Sequence, residues 1–133
     1  RMKGLLPLEQ QLRILCEVLA GLDYAHELTD YDGTPLGVVH RDVSPHNVFL
    51  TYDGQVKLVD FGIAKVVDVD GGTKAGLFKG KAKYTSPEQA VGGAVDRRAD
   101  LFSVGIMLWE VLTGRRLWGD KTEIQVLLEL TQG

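Results

Sequence analysis

The sequence is short of cysteine, of basic excess and of long apolar runs, and each shortage removes a class of protein. Its one cysteine, Cys16, has no internal partner, so a disulfide framework is excluded. Set among Leu12, Leu15 and Leu19, it reads as a buried thiol in a reducing compartment rather than a nucleophile. No stretch reaches the roughly 18 consecutive apolar residues of a membrane span, and the start Arg1-Met2-Lys3-Gly4 lacks the apolar core of a signal peptide. The expected location is cytoplasmic, with no membrane contact from this segment, although a segment outside it could tether the whole protein. Fifteen Lys and Arg against 18 Asp and Glu give a net charge of -3, which argues against a nucleic-acid footprint. His26 and His46 have no second ligand at metal spacing, which argues against a catalytic zinc site. There is no internal repeat and no low-complexity tract.

What remains is an ordinary globular composition, 44% hydrophobic and 25% charged over 133 residues, enough for one core. Leu8, Leu12, Leu15, Leu19 and Leu22 recur at three and four, predicting an amphipathic helix over Leu8 to His26 that Pro7 is placed to begin. Leu28 to Gly37 is turn-rich and reads as an exposed loop. Two β-rich runs, Asn47 to Thr51 and Gln55 to Val59, flank Tyr52-Asp53-Gly54, whose Asp-Gly suits a tight hairpin. Val67 to Lys83 has little periodicity and reads as a mobile loop. From about Arg98 to Thr113 the chain is apolar on nearly every face, predicting a helix buried all round that Gly114 ends. A last amphipathic helix is expected over about Lys121 to Thr131. The fold class is α+β, mainly helical, with one short hairpin.

The chemistry centres on Val39-His40-Arg41-Asp42-Val43-Ser44-Pro45-His46-Asn47, followed by Asp60-Phe61-Gly62. Phosphoryl transfer from a nucleotide needs Mg²⁺, hard oxygen ligands to hold it, and a carboxylate near the incoming hydroxyl. Asp42, Asn47 and Asp60 carry such oxygens. Antiparallel pairing of the two runs brings Asn47 and Asp60 to the same end of the ribbon, where they can share a metal. Arg41 is a fixed cation suited to hold a phosphorylated segment. His40 is suited to position backbone rather than carry protons.

These motifs resemble those of the protein kinase family over nearly the whole chain. The resemblance implies that His40-Arg41-Asp42 is the catalytic loop, Asn47 a metal ligand, and Asp60-Phe61-Gly62 the metal-binding triplet. It makes Ser86-Pro87-Glu88 the close of the activation segment, with Glu88 paired to an arginine of a later helix. Asp100-Leu101-Phe102-Ser103-Val104-Gly105 resembles the start of the family's central helix, which implies that Asp100 hydrogen-bonds the backbone of the catalytic loop. The implied cofactors are ATP and Mg²⁺, and the implied partner is a protein substrate presenting Ser or Thr. Residues 1–133 then form a partial kinase domain, the C-terminal lobe, truncated at both ends and expected to be inactive alone. The glycine-rich phosphate loop, the lysine strand and its glutamate helix all belong to a smaller lobe absent from the chain.

Two positions depart from the family pattern. Serine/threonine kinases of the family carry Lys two residues after the catalytic aspartate and Thr in the substrate-binding loop; here those places hold Ser44 and Lys81, as if exchanged. Either Lys81 and Ser44 restore the same ammonium-to-hydroxyl bond from opposite loops, or Ser44 marks a weakened site. Tyrosine kinases of the family also lack that lysine, whereas Pro45 and Ser86-Pro87-Glu88 match bacterial serine/threonine kinases. Thr73 is the candidate phosphorylation site, with Arg41 to hold its phosphate. Arg97, Arg98, Arg115 and Arg116 read as solvated. The reading of another class is a pseudokinase or docking module that keeps the fold without phosphotransfer.

Overall fold

Pro7 has no N–H to leave unpaired and sets the backbone for the turn that follows, and from it runs α1, Leu8–His26. The computed structural model describes residues 6–61 and 82–132 of the chain; Gly62, Thr73 and Lys81 lie outside the described residues. After α1 the chain makes a small looped turn closed by a bridge between Thr29 and Pro35. It then runs through His40-Arg41-Asp42 to a single turn of tight helix, Pro45–Asn47, and the hairpin of β1 (Val48–Leu50) and β2 (Val56–Leu58). The register pairs Val48 with Leu58 and Leu50 with Val56. Gly54, at φ 82°, takes the left-handed conformation the turn demands, which a side chain resists.

Beyond residue 81 come a short turn, Ala82–Tyr84, then α2 (Pro87–Ala90), α3 (Arg98–Thr113) and α4 (Glu123–Gln132). Gln89 Oε1 accepts the N–H and the hydroxyl of Ser86, capping the first turn of α2. Gly114 ends α3 at φ 65°, donating its N–H to the carbonyl of Glu110. Helix α1 packs on α3 and β2, and α4 packs on α2 and the Ala82–Tyr84 turn. The core is Leu15, Val18 and Leu22 of α1, Val43 of the loop before Pro45, Tyr84, and Val104, Ile106 and Met107 of α3.

Two expectations are corrected. The buried stripe of α1 is Leu15, Val18, Leu22 and Ala25, so Leu19 stands at its edge at 39% exposure and Cys16 is exposed rather than buried. The cause is angular: at about 100° per residue, Cys16 and Leu19 turn away from the face that Val18 centres. Helix α3 is buried along one side only, since Leu101, Leu108, Trp109 and Leu112 are exposed. Among the described residues the elements packed on it cover that one side.

Candidate active site

A buried carboxylate organises the loop. Asp100, in the first turn of α3, is 1% exposed. Its Oδ2 accepts the backbone N–H of His40 at 2.9 Å and Nε2–H of His26 at 2.7 Å, while Oδ1 accepts the backbone N–H of Arg41 at 2.8 Å. Two consecutive backbone groups thus hang from one carboxylate. That matters because Arg41 sits at φ 65° and Asp60 at φ 59°, a region that costs a non-glycine residue about 1–3 kcal/mol unless its surroundings impose it.

His40 is fully enclosed and bonded at both ring nitrogens. Its Nε2–H donates to the carbonyl of Val59 at 3.0 Å, and its Nδ1 accepts the N–H of Asp42 at 3.2 Å. Its ring leans on Phe61 with centroids 4.4 Å apart. The bond from the Asp42 N–H requires the neutral ring, because protonation would turn Nδ1 into a donor facing a donor, whereas the bond to Val59 would survive it. Burial accordingly pushes its pKa below the ordinary 6.5, against smaller opposing effects of the Val59 carbonyl and the carboxylates of Asp100 and Asp42.

The hairpin register gathers the candidate metal ligands. The N–H of Val59 donates to the carbonyl of Asn47 at 2.9 Å, so Asp60 follows directly at the end of the ribbon where Asn47 begins it. Asn47 is buried, and its Nδ2 donates to the carbonyl of Asp42 at 2.7 Å. With its nitrogen committed, Oδ1 is left as the oxygen donor. Asp42 is half-buried and Asp60 exposed. Carboxylate and amide oxygens are the hard donors that suit Mg²⁺, and the backbone pairing sets Asn47 and Asp60 at one end of the ribbon, although among the described residues no three His, Cys, Asp or Glu side chains form a metal-holding group. Between these groups, Ser44 is 1% exposed and its Oγ has no hydrogen-bond partner among the described residues.

The segment Ala82–Ser86 is clamped beside this loop. Tyr84 donates its hydroxyl to Glu110 at 2.8 Å and accepts from Arg116 at 2.6 Å. Burial, then the adjacent Glu110, pushes the phenol's pKa well above its ordinary 10.0, so it remains a donor. Ser103 Oγ donates to the Tyr84 carbonyl at 2.7 Å, Trp118 Nε1 to the Lys83 carbonyl at 2.8 Å, and Lys83 Nζ to the Gly119 carbonyl at 3.2 Å. Glu88 is half-buried and lines a cavity of about 380 Å³ with Pro87, Ala94, Asp96, Arg98 and Phe102.

Sequence reading missed several of these parts. His26 is the third donor to Asp100, a role that a lone histidine at a helix end does not announce. Arg116 is not simply solvated: it pairs with Glu110 at 2.9 Å as well as with Tyr84. Arg97 and Arg98 make exposed ion pairs with Glu27 and Asp96.

The family model of the protein kinase domain matches residues 1–132. The chain belongs to the protein kinase family. Within that family it is 49% identical over all 133 of its residues to the tyrosine-protein kinase MasK of Myxococcus xanthus, of which it covers 21%. It is 44% identical over 113 residues, 82% of its length, to serine/threonine-protein kinase A of Synechocystis, covering 22% of that protein. Against the serine/threonine-protein kinase PksC of Streptomyces coelicolor it is 45% identical over 117 residues, 86% of its length and 20% of the relative's. The chain therefore spans about a fifth of the length of these curated kinase relatives. No helix among the described residues is long and apolar enough to cross a membrane.

The enclosed neutral ring of His40 ties kinase stability to pH. An unfolded chain takes up a proton at this residue as pH falls through about 6.5, while the folded chain resists until the lower folded value. Stability is therefore full above 6.5 and falls below it. Denaturant unfolding of the full-length kinase between pH 8 and 5 is expected to show this decline, and His40→Asn to flatten it. Equal slopes for parent and variant contradict the neutral, doubly bonded ring.

Proposed function

We propose that the chain is the larger, C-terminal lobe of a serine/threonine protein kinase, which transfers the γ-phosphoryl group of ATP to protein hydroxyls with magnesium. One observation supports the reading: the hairpin pairing sets Asn47 and Asp60 at one end of the ribbon, and the Asn47 amide there bonds the Asp42 carbonyl. In this reading Asp42 orients the substrate hydroxyl and accepts its proton as the new O–P bond forms and the bond from the γ-phosphorus to the β–γ bridging oxygen breaks, releasing ADP. Asn47 Oδ1 and the Asp60 carboxylate would hold Mg²⁺. When bound, the metal neutralises charge on the phosphoryl oxygens. His40 keeps its own proton and fixes the Asp42 amide. The clamped Ala82–Ser86 segment forms the floor on which substrate docks, and Glu88 anchors its far end. The lysine that holds the α- and β-phosphates, and the glycine-rich roof over them, come from a smaller lobe preceding this segment. Arg41 and Thr73 are the regulatory pair, with phosphorylated Thr73 held by the Arg41 guanidinium.

The hydroxyl class rests on Pro45 between the aspartate and the asparagine, on Ser86-Pro87-Glu88, and on relatives named serine/threonine kinases. A second reading, transfer to tyrosine, is favoured by one observation, the 49% identity to a relative named a tyrosine kinase. A pseudokinase is disfavoured, because Asp42, Asn47 and Asp60 are all present.

Ser44 and Lys81 are proposed to act together. A buried hydroxyl without a partner costs about 1–3 kcal/mol, and the Ser44 Oγ is such a hydroxyl among the described residues. An ammonium from Lys81 satisfies it and sets a positive charge beside Asp42 and the transferred phosphoryl group.

In the full-length kinase, magnesium-dependent transfer of γ-phosphate from ATP to protein is expected, and Asp42→Asn is expected to lower kcat by about 100-fold or more. Phosphoamino-acid analysis of the product is expected to yield phosphoserine or phosphothreonine; phosphotyrosine alone selects the second reading, and no transfer at all refutes both. Lys81→Thr is expected to lose about ten-fold or more in kcat, and Ser44→Lys added to it to recover activity. A double variant no better than the single one refutes the exchange.

A further inference from the structure

We propose that Gln89 is a positioning residue for the catalytic carboxylate, tying the Arg41–Asp42 peptide to the substrate-docking segment through the two ends of one side-chain amide. Its catalytic consequence rests on the kinase reading above.

The Arg41–Asp42 peptide is a rigid plane with the Arg41 carbonyl at one edge and the Asp42 N–H at the other. The N–H donates to His40 Nδ1 at 3.2 Å, and the carbonyl accepts from Gln89 Nε2 at 2.9 Å. Two bonds at opposite edges fix the rotation of that plane, and with it the direction in which Asp42 leaves the chain. One residue earlier, the Arg41 N–H is held by Asp100 at 2.8 Å. Arg41 is thus held on both its donor and its acceptor side in a conformation, φ 65°, that it would otherwise leave.

The other end of the Gln89 amide faces the docking segment. Its Oε1 accepts the backbone N–H of Ser86 at 3.3 Å and the Ser86 hydroxyl at 3.2 Å. The partners dictate the orientation of the amide: a carbonyl cannot donate, so Nε2 must face Arg41, and a backbone N–H cannot accept, so Oε1 must face Ser86.

Capping α2 does not by itself require glutamine, since glutamate serves equally well at that position of a capping box. The Arg41 carbonyl does require it, because only an amide donates at one end while accepting at the other. Two residues before Ser86 lies Tyr84, fixed by Glu110, Arg116 and Ser103. The amide therefore transmits the placement of the docking segment to the peptide that aims Asp42.

Gln89→Glu separates the two jobs, keeping the cap and removing the donor. In the full-length kinase this variant is expected to melt close to the parent, to exchange the amides of residues 40–44 several-fold faster, and to lower kcat about ten-fold while the KM for ATP stays within two-fold. Gln89→Ala is expected to match that loss in kcat and to melt lower. Unchanged exchange in residues 40–44 of Gln89→Glu overturns the assignment, as does faster exchange with kcat unaltered. A parent that transfers no phosphate refutes the kinase reading, and the exchange measurement still decides whether Gln89 holds the peptide.

Discussion

A carboxylate with 1% of its surface exposed has to find donors for both oxygens, and Asp100 finds them in the main chain at His40 and Arg41 and in His26. Moving an ion out of water costs several kcal/mol, and three short hydrogen bonds at 2.7–2.9 Å offset that cost only in one arrangement of the loop. That is why a buried charge serves here where an apolar residue would pack more cheaply. The carboxylate cannot be satisfied unless His40 and Arg41 present their N–H groups together, which obliges Arg41 to adopt its left-handed backbone. Helix α3 supplies the fixed point, the loop supplies the donors, and the position of Asp42 follows.

A second constraint runs through His40. Its ring bonds the carbonyl of Val59 on one side and the N–H of Asp42 on the other, so the end of β2 and Asp42 are held by one rigid imidazole. The Val59 N–H pairs in turn with the Asn47 carbonyl, closing a circuit from Asp100 through the loop to the hairpin and back. Each group in the circuit is satisfied only if its neighbours are in place, the condition under which a polar network specifies one structure. The Ala82–Ser86 segment is tied in through the Ser103 and Trp118 contacts on one side and the Gln89 amide on the other.

Much of this was legible in the sequence where the signal was local. The period of the leucines placed α1 over Leu8–His26, Asp-Gly marked the hairpin turn, and Gly114 marked the end of α3. The family motifs pointed to Asp42, Asn47, Asp60 and Asp100 because their spacing is set by loop geometry. What escaped was set by tertiary packing. Cys16 and Leu19 share a leucine-rich helix with the core, yet only Val18's side of that helix meets another element. The apolar composition of α3 predicted burial all round, but composition does not say which faces the neighbouring elements reach. His26 and Asp100 are 74 residues apart, as Lys83 and Trp118 are 35 apart, and no periodicity links such pairs. The Ser86 and Gln89 pair did carry a signal, the three-residue spacing of a capping box, but nothing in that spacing revealed the second bond to Arg41.

The claim at the centre of this account, that the Asp100 carboxylate holds the catalytic loop in its working conformation, is tested most directly by Asp100→Asn in the full-length kinase. Asparagine keeps the size and one acceptor but sets an amide N–H₂ against donors that the carboxylate had accepted. The expected result is a folded variant whose kcat falls about 100-fold or more, with a much smaller change in the KM for ATP. A variant that transfers phosphate within about three-fold of the parent rate would contradict it.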